Sequence, residues 1–287
     1  LVLTAILANG HVLIEGVPGV AKTLLARLTA RLIDADFSRI QFTPDLMPSD
    51  VLGTTVFNMK TNEFDFHQGP IFADIVLVDE INRAPAKTQA ALFEVMEERQ
   101  ISIDGITHKM GELYTILATQ NPVEQEGTYK LPEAQLDRFL MKITMDYPSL
   151  EEEVNILERH HTNASLIKLD DIKPAITKEE LLSLRALMNQ VFVDRTLLQY
   201  IALIVQQTRT SKAVYLGASP RASVAMLQSS KAYALLQGRD FVTPEDIKFV
   251  APYVLQHRLI LTAEAEMEGY SPVKVTQRLI DKVEVPK

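Results

Sequence analysis

The sequence predicts an α/β fold, in which a parallel sheet with helices is followed by a region of helices alone. Residues 12–14 and 75–78 are apolar runs, and the second run, with four apolar residues in succession, fits a strand buried on both faces of a parallel sheet. After Tyr147-Pro148 the strand-like runs give way to helical periodicity. We therefore expect an α/β domain over residues 1–148 and an all-helical domain with a C-terminal tail over residues 149–287.

The first predicted strand runs into a glycine-rich turn, which a helix follows. Lys22 and Thr23 stand at the start of this helix, and leucines recur along one side of it. This order of elements is typical of a phosphate-binding loop, because the N–H groups of the turn and the positive end of the helix face the phosphates. The residues predicted to bind nucleotide are Gly16, Val17, Pro18, Gly19, Val20, Ala21, Lys22, Thr23 and Leu24.

Three side chains of the loop bear on its chemistry. Lys22 can place a positive charge near the β- and γ-phosphates, and the Thr23 hydroxyl can bind Mg²⁺. Ala21 departs from the usual G-x-x-x-x-G-K-[ST] pattern, in which a glycine precedes the lysine. An alanine there must adopt an allowed φ/ψ combination, and its methyl group must clear the phosphates. A strand–turn–helix with an unrelated lysine is the alternative.

The composition of the chain argues against several classes of protein and of binding site. Hydrophobic residues make up 47% of the 287, and no apolar run approaches the roughly 20 residues of a membrane span. The absence of cysteine excludes disulfides and cysteine-ligated metals. A formal net charge of −8 argues against broad binding to nucleic acid. No signal peptide is recognisable and the chain opens on Leu1 in mid-helix, so we expect a cytoplasmic protein whose first residues are missing from this sequence.

Two acidic residues, Asp79 and Glu80, follow the buried strand of residues 75–78. The carboxyl ends of parallel strands are where α/β sheets bind ligands. Asp79 can serve as the acidic partner of a Mg²⁺ ion on a triphosphate, and Glu80 can orient and polarise an attacking water. An acidic strand end that caps the next loop is the alternative, but the preceding phosphate loop favours the catalytic interpretation.

Two segments predict β-hairpins inserted between the elements of the core. Val56–Met59 and Phe64–Phe66 have β character and flank a turn-like segment. Residues 101–107 are centred on Asp104-Gly105, which is a strong hairpin signal. For the first hairpin, a surface excursion without a role is the alternative.

Two further polar residues lie close to predicted strands. Asn121 lies just after the predicted buried strand Leu113–Ala118, where its amide could reach a γ-phosphate or the attacking water, although a turn residue before proline would look the same. Arg138 follows Asp137 shortly before another strand. Arg138 either forms a local ion pair with Asp137 or acts in trans on the nucleotide of a neighbouring subunit.

Together these stretches resemble an AAA+ ATPase, and specifically the MoxR family of the helix-2-insert type. The resemblance covers nearly the whole chain, and an alanine at the position of Ala21 is usual in this family. The combination of motifs is specific, although each motif alone is not. The matching stretches are Gly-Val-Pro-Gly-Val-Ala-Lys-Thr (16–23), Phe-Thr-Pro-Asp-Leu-Met-Pro-Ser-Asp (42–50), Leu-Val-Asp-Glu-Ile-Asn-Arg-Ala (77–84), Ala-Thr-Gln-Asn-Pro (118–122) and Leu-Pro-Glu-Ala-Gln-Leu-Asp-Arg-Phe (131–139).

The resemblance implies a P-loop AAA+ core with a parallel sheet and inserted β-hairpins, followed by an all-helical lid. The hairpins would match the helix-2 insert and the pre-sensor-1 hairpin of the family. The roles that it implies are Walker A for Lys22 and Thr23, Walker B for Asp79 and Glu80, sensor 1 for Asn121 and the arginine finger for Arg138.

In the second half, Ser219-Pro220-Arg221 opens a predicted helix with sound start chemistry. A cation in the first turn is less expected, since the helix dipole disfavours Arg221 there unless an anion is near. In the family this arginine would be sensor 2, which reaches the γ-phosphate from the lid, whereas a plain surface arginine is the alternative. Residues 262–287 are charged and aperiodic apart from a short helix at 275–282, so we expect a tail.

The resemblance implies an ATP-hydrolysing, Mg²⁺-dependent ring, a hexamer by family analogy. Arg138 would act on the neighbouring subunit's nucleotide, and Arg221 on that of its own subunit. MoxR-type ATPases are thought to act as chaperones that remodel or mature client proteins or complexes, including by metal-cofactor insertion. The expected partners are copies of the chain, a client protein and a von Willebrand factor A-domain protein.

Three other functions stay open from the sequence. A DNA-translocating ring of the MCM type would carry basic hairpin tips to grip phosphates, whereas the tip here is Asp104-Gly105. A magnesium-chelatase-type motor subunit is a closer alternative. A non-hydrolysing, nucleotide-gated scaffold is the alternative outside the enzymes, and such a module would not need Glu80.

Overall fold

The structure is a computed structural model that describes residues 1–121, 129–161 and 169–286. Pro122, the last residue of the 118–122 motif, lies outside the described residues. The strands in chain order are β1 (Val12–Gly16), β2 (Phe37–Gln41), β3 (Gly53–Asn58), β4 (Glu63–Gln68), β5 (Ile75–Asp79), β6 (Gln100–Ile103), β7 (Ile106–Lys109), β8 (Thr115–Gln120), β9 (Met141–Met145), β10 (Val214–Leu216) and β11 (Ile260–Leu261). The helices in chain order are α1 (Val2–Leu7), α2 (Lys22–Leu32), α3 (Pro48–Leu52), α4 (Ala86–Glu98), α5 (Glu133–Leu136), α6 (Leu150–His161), α7 (Lys178–Gln190), α8 (Arg195–Thr210), α9 (Pro220–Leu236), α10 (Pro244–Leu255), α11 (Ala263–Met267) and α12 (Pro272–Lys282).

Five strands form one sheet in the order β2-β5-β8-β1-β9, which confirms the predicted sheet. The pairs β2–β5 and β5–β8 are parallel, with Gln41 opposite Asp79 and Val78 opposite Ala118. Residues 75–78 of β5 are each 0% exposed, as the apolar run predicts. Because neighbouring strands run in the same direction, the polar residues that follow β5 and β8 meet at one edge of the sheet.

Both inserted hairpins are present. β3 pairs antiparallel with β4, and β6 pairs antiparallel with β7 around Asp104-Gly105. The two turn residues have positive φ, 52° and 78°, as a two-residue hairpin turn of this kind requires. The ring of Phe66 in β4 lies on the ring of His108 in β7, with centroids 4.2 Å apart, so the two hairpins contact each other.

Residue contacts divide the chain into two compact units. One comprises residues 13–130 and 144–182, which include most of the sheet and both hairpins. The other comprises residues 1–12, 131–143 and 183–287, which include α1, α5 and the helices from α8 onward. In the described part of the chain, no helix combines the length and apolar character needed to cross a membrane. The expected domain boundary at residue 148 stays a prediction.

The second half differs from the all-helical expectation in one detail. β10 and β11 pair antiparallel, with Val214 opposite Leu261. These strands are three and two residues long, which is too short to produce an alternating pattern in the sequence.

The tail prediction for residues 262–287 is wrong for residues 263–274, which contain α11 and the start of α12, while the short helix expected at 275–282 is confirmed within α12. Residues 263–282 contain α11 and α12, which are capped by the side chains of Thr262 and Ser271. Val275 and Leu279 of α12 form a buried cluster with residues of β11 and α11. Their helical spacing agrees with the short helix expected at 275–282, whereas α11 is only five residues long and is too short to produce a comparable pattern.

Candidate nucleotide-binding site

The predicted phosphate loop connects β1 to α2. β1 ends at Gly16 and α2 begins at Lys22. A Cβ atom on Gly16 would lie 2.7 Å from the backbone oxygen of Met145, so this position requires glycine. The Lys22 ammonium donates a hydrogen bond of 2.7 Å to the Gly16 carbonyl oxygen and so lies back across the loop.

Ala21 occupies the left-handed region of backbone conformation, with φ 57° and ψ 27°. It directly precedes the first residue of α2, and Gly19 nearby also has a positive φ of 87°. An L-residue adopts this conformation at a cost of roughly 1–2 kcal/mol, which glycine avoids. The alanine therefore fits the loop, but in a conformation that favours glycine.

A cavity of about 340 Å³ opens beside the loop. Residues from the loop, from the end of β5 and from the end of β8 line it, and each of them belongs to the set predicted from the sequence. The lining residues are Pro18, Gly19, Ala21, Lys22, Thr23, Asp79, Glu80 and Asn121. The other four residues predicted from 16–24, all of them described, lie at the end of β1, in the loop or in the first turn of α2 and do not line the cavity: Gly16, Val17, Val20 and Leu24.

Asp79 ends β5 and is fixed by two neighbouring strands. The Thr119 hydroxyl of β8 donates to its Oδ1 at 2.6 Å. The Arg39 guanidinium of β2 donates to its Oδ2, at 2.7 Å from Nη2 and 3.2 Å from Nε. The Asp79 side chain is 14% exposed and lines the cavity, and the guanidinium of Arg39 balances the negative charge of its carboxylate.

Glu80 follows in the left-handed region, with φ 56° and ψ 51°. Its backbone N–H donates to the Thr119 hydroxyl at 2.9 Å. Its Oε2 accepts a hydrogen bond of 2.8 Å from the Gln41 amide and lies 3.2 Å from Nε of Arg83. The carboxylate lines the cavity while these two side chains restrain it.

Asn121, directly after β8, is 6% exposed and lines the same cavity. The structure thus brings it together with the loop and the acidic pair. Arg39, Gln41 and Thr119 are partners of the site that the sequence alone does not identify. Arg39 and Gln41 lie two residues apart on β2, which pairs with β5. Their spacing indicates a role at the site only once this strand order is known.

The donor set of the cavity fits a Mg²⁺ ion that is bound together with a nucleotide. Mg²⁺ usually takes one or two protein ligands and completes its shell with phosphate oxygens and water. The Thr23 hydroxyl and the Asp79 carboxylate both line the cavity and can supply those ligands. Among the described residues, no group of three or more acidic or histidine side chains could hold a metal by itself.

Arg138 and Arg221 belong to the other compact unit. Asp137, which precedes Arg138, uses its two carboxylate oxygens on residues distant in sequence. Oδ1 accepts from Nε of Arg258 at 2.7 Å, and Oδ2 accepts from the Ser219 hydroxyl at 2.8 Å. From the sequence, Arg138 is the local partner considered for Asp137, beside a role of Arg138 in trans, and nothing there points to Arg258.

Arg221 lies exposed in the first turn of α9. Its backbone N–H donates to the hydroxyl of Ser219, the residue that caps this helix, at 3.2 Å. Burial lowers the pKa of Arg258, the Asp137 carboxylate opposes that shift, and the positive charge of Arg221 adds to it. Arg221 is therefore close enough to Arg258 for the two charges to interact.

Comparison with known proteins agrees with the geometry. The family model described as "ATPase family associated with various cellular activities (AAA)" matches residues 11–141, and the AAA lid domain model matches residues 206–281. The chain is 48% identical over 287 residues to Uncharacterized protein YeaC of Bacillus subtilis, covering 99% of this chain and 88% of that one. It is 45% identical over 294 residues to Chaperone MoxR1 of Mycobacterium tuberculosis, covering 99% and 77%. This chain is a MoxR-family AAA+ ATPase.

A solved structure supports the same fold for this MoxR-family chain. The crystal structure at 2.00 Å resolution of a predicted ATPase from Cytophaga hutchinsonii matches with a TM-score of 0.90 and 42% identity, covering all of this chain and 88% of that one. The lid match reaches residue 281 and so includes α11 and nearly all of α12, in agreement with the packed helices found there.

Proposed function

We propose that this MoxR-family chain hydrolyses ATP with Mg²⁺ and works in a ring of identical subunits, a hexamer, to remodel client proteins. One observation carries the proposal. The loop residues Lys22 and Thr23, the pair Asp79-Glu80, and Asn121 all line one cavity of about 340 Å³. Phosphoryl transfer to water needs groups for the phosphates, the metal and the attacking water, and this set can supply each of them.

Phosphate binding falls to the loop and to the N-terminal end of α2, where backbone N–H groups and the helix dipole favour an anion. Lys22 adds a positive charge once it leaves the Gly16 carbonyl oxygen for a phosphate. Mg²⁺, held by the Thr23 hydroxyl and the Asp79 carboxylate, would neutralise charge on the β- and γ-phosphates.

Glu80 is the residue that orients and polarises the attacking water. Its side chain is 28% exposed at the cavity, so a water molecule can reach the carboxylate. Asn121 contacts the γ-phosphate or that same water with its amide. A positioned general base contributes roughly 10²–10⁴ in rate.

The two arginines complete the site in our proposal. Arg221 acts on the nucleotide of its own subunit from the lid, and Arg138 acts on that of the next subunit in the ring. Family membership supports both roles, since residues 131–139 around Arg138 resemble the family's motif and Arg221 lies within the residues that the AAA lid model matches. An arginine finger contributes roughly 10³–10⁵ in kcat, so hydrolysis should depend on assembly.

The output is mechanical work on a client protein or complex, including the insertion of a metal cofactor. The printed name of one relative, Chaperone MoxR1, supports a chaperone role. A von Willebrand factor A-domain protein is the partner we propose, and the cytoplasm is the proposed compartment. We assign residues 1–148 to the nucleotide-binding domain and residues 149–287 to the lid, which the two family-model matches support.

The test is ATP hydrolysis per subunit across a range of protein concentrations, with Glu80→Gln measured beside the wild type. Glu94→Gln is the matched control, because Glu94 is an exposed residue of α4 with the same change of charge. We expect specific activity to rise with concentration. Glu80→Gln should abolish hydrolysis while it still binds ATP, and Glu94→Gln should behave as the wild type.

A wild type that binds ATP but turns over no faster than Glu80→Gln at every concentration contradicts the proposal. That result would favour a nucleotide-gated scaffold. Hydrolysis that does not change with concentration would instead remove the role of Arg138 in trans.

A further inference from the structure

Arg258, which follows the end of α10, is a buried arginine with an unusually large set of acceptors. Its side chain is 3% exposed. Besides the Asp137 carboxylate, it donates to the carbonyl oxygens of Asp137 at 3.1 Å, Phe139 at 2.6 Å and Leu140 at 3.2 Å, and also to that of Val254. Only the rigid fork of a guanidinium can serve so many acceptors at once.

The residues before Arg258 bind the same segment. The Gln256 amide donates to the Lys142 carbonyl oxygen at 2.6 Å, and Nε2 of His257 lies 3.0 Å from the Phe139 carbonyl oxygen. Three consecutive side chains after α10 therefore fix the backbone of residues 137–142. Arg138 stands inside this fixed segment.

The start of α9 is tied to the same point. The Ser219 hydroxyl donates to Asp137 Oδ2 at 2.8 Å while it accepts the N–H of Arg221 at 3.2 Å. The preceding residue, Ala218, is held on α8, because its N–H donates to the Thr208 hydroxyl and its carbonyl oxygen accepts from Arg209. The Asp137 carboxylate thus joins the segment of Arg138 to the first turn that carries Arg221.

We propose that Arg258, Asp137 and Ser219, here named the Asp137 junction, are positioning residues that hold Arg138 and Arg221 in one fixed relationship. The inference rests on the proposed function, in which both arginines act on nucleotide. Because the Ser219 hydroxyl and Arg258 bind the same carboxylate, the loss of either contact should displace the Arg138 segment and the first turn of α9 relative to each other.

A purely structural ion pair is the competing explanation, so the test must separate positioning from stability. Ser219→Ala removes the hydroxyl that reaches Asp137 and leaves the pair of Arg258 and Asp137 in place. Ser271→Ala is the matched control, because Ser271 also caps a helix of this unit, also precedes a proline and also accepts one N–H, that of Lys274 at 3.3 Å. Ser219→Thr restores the hydroxyl.

Hydrogen exchange, ATP hydrolysis and thermal stability are measured on the whole protein. The first is hydrogen exchange at the amides of residues 137–140, which should speed up in Ser219→Ala and stay as in wild type in Ser271→Ala and Ser219→Thr. The second is steady-state hydrolysis at a concentration where activity no longer rises. Here kcat of Ser219→Ala should fall about tenfold with the Kd for ATP unchanged, since misplaced catalytic groups cost rate more than binding. The thermal midpoint should fall equally in both alanine variants.

Unchanged exchange at residues 137–140 in Ser219→Ala overturns the junction, whatever the activity. So does a kcat for Ser219→Ala equal to that of Ser271→Ala. A wild type no faster than Glu80→Gln overturns the proposed function and with it the catalytic purpose of the junction, while the exchange measurement still decides whether the two segments are linked.

Discussion

The hydroxyl of Thr119 donates to Oδ1 of Asp79 at 2.6 Å and fixes that carboxylate from the neighbouring strand. The same hydroxyl accepts the backbone N–H of Glu80 at 2.9 Å. One buried side chain therefore orients both acidic residues of the site, at the point where the metal ligand and the catalytic carboxylate are expected to act.

Thr119→Val should lower kcat about tenfold, which corresponds to the loss of about 1.4 kcal/mol from the transition state. It should also destabilise the protein by about 1–3 kcal/mol, because the Glu80 N–H loses its acceptor. Steady-state kinetics and urea unfolding measure the two effects, and Thr119→Ser, which keeps the hydroxyl, should restore most of both.

Thr115→Val is the matched control for this change. Thr115 lies on the same strand, is 0% exposed, and its hydroxyl has no hydrogen-bond partner among the described residues. The substitution should be neutral or stabilising there. Equal losses in the two valine variants would show that the hydrogen bonds of Thr119 do not matter.

Gln41→Met should raise basal turnover roughly threefold with ATP binding unchanged. Gln41 donates to Glu80 Oε2 at 2.8 Å, and this hydrogen bond restrains the carboxylate. Loss of this donor should free Glu80 to reach the attacking water. Steady-state kinetics give the answer, and the double variant with Glu80→Gln should be inactive, which shows that the gain passes through Glu80. Slower turnover in Gln41→Met would mean that Gln41 holds Glu80 in its productive orientation.

Ala21→Gly should raise the free energy of unfolding by about 0.5–1 kcal/mol, since glycine adopts the left-handed conformation without the steric cost that alanine bears. The measurement is equilibrium unfolding in urea. Ala90→Gly, at an exposed interior position of α4, should have the opposite sign, a loss of about 0.5–1 kcal/mol. Destabilisation by both substitutions would show that the loop does not strain Ala21.

Stability should decrease with acid below about pH 6.5 because of His257. Burial lowers the pKa of His257 well below its usual value, and the neighbouring Arg258 charge acts in the same direction. Below pH 6.5 the His257 side chain binds a proton in the unfolded chain but not in the folded chain. The contribution of the buried, neutral imidazole to the free energy of unfolding is therefore complete only above the pKa of the unfolded chain. It is lost by up to about 1.4 kcal/mol per pH unit as pH falls toward the folded pKa.

Urea unfolding at pH 7.5, 6.5 and 5.5 tests this dependence. His257→Gln retains an amide that can donate to the Phe139 carbonyl oxygen but does not titrate, so its stability should fall less between pH 6.5 and 5.5 than that of the wild type. Parallel curves for the two proteins would show that His257 is accessible to protons in the folded state.

The sequence by itself determined the phosphate loop, the buried strand with Asp79-Glu80 at its end, both hairpins and the MoxR-family resemblance. These features have local signatures, because glycine placement, apolar runs and the order of charged residues are written within a few positions. In the structure, the loop, the acidic pair and Asn121 line one cavity at one edge of the sheet, as parallel strands require.

Only the tertiary structure decided which side chains support that site. Arg39 and Gln41 become partners of Asp79 and Glu80 because β2 lies beside β5, and Asp137 finds Arg258 at a separation of 121 residues. The same holds for the packing of α11 and α12 against β11, although the sequence does predict the helix at 275–282. Such contacts leave no periodic trace in the sequence, since each depends on strand order or helix packing and not on the spacing of neighbours along the chain.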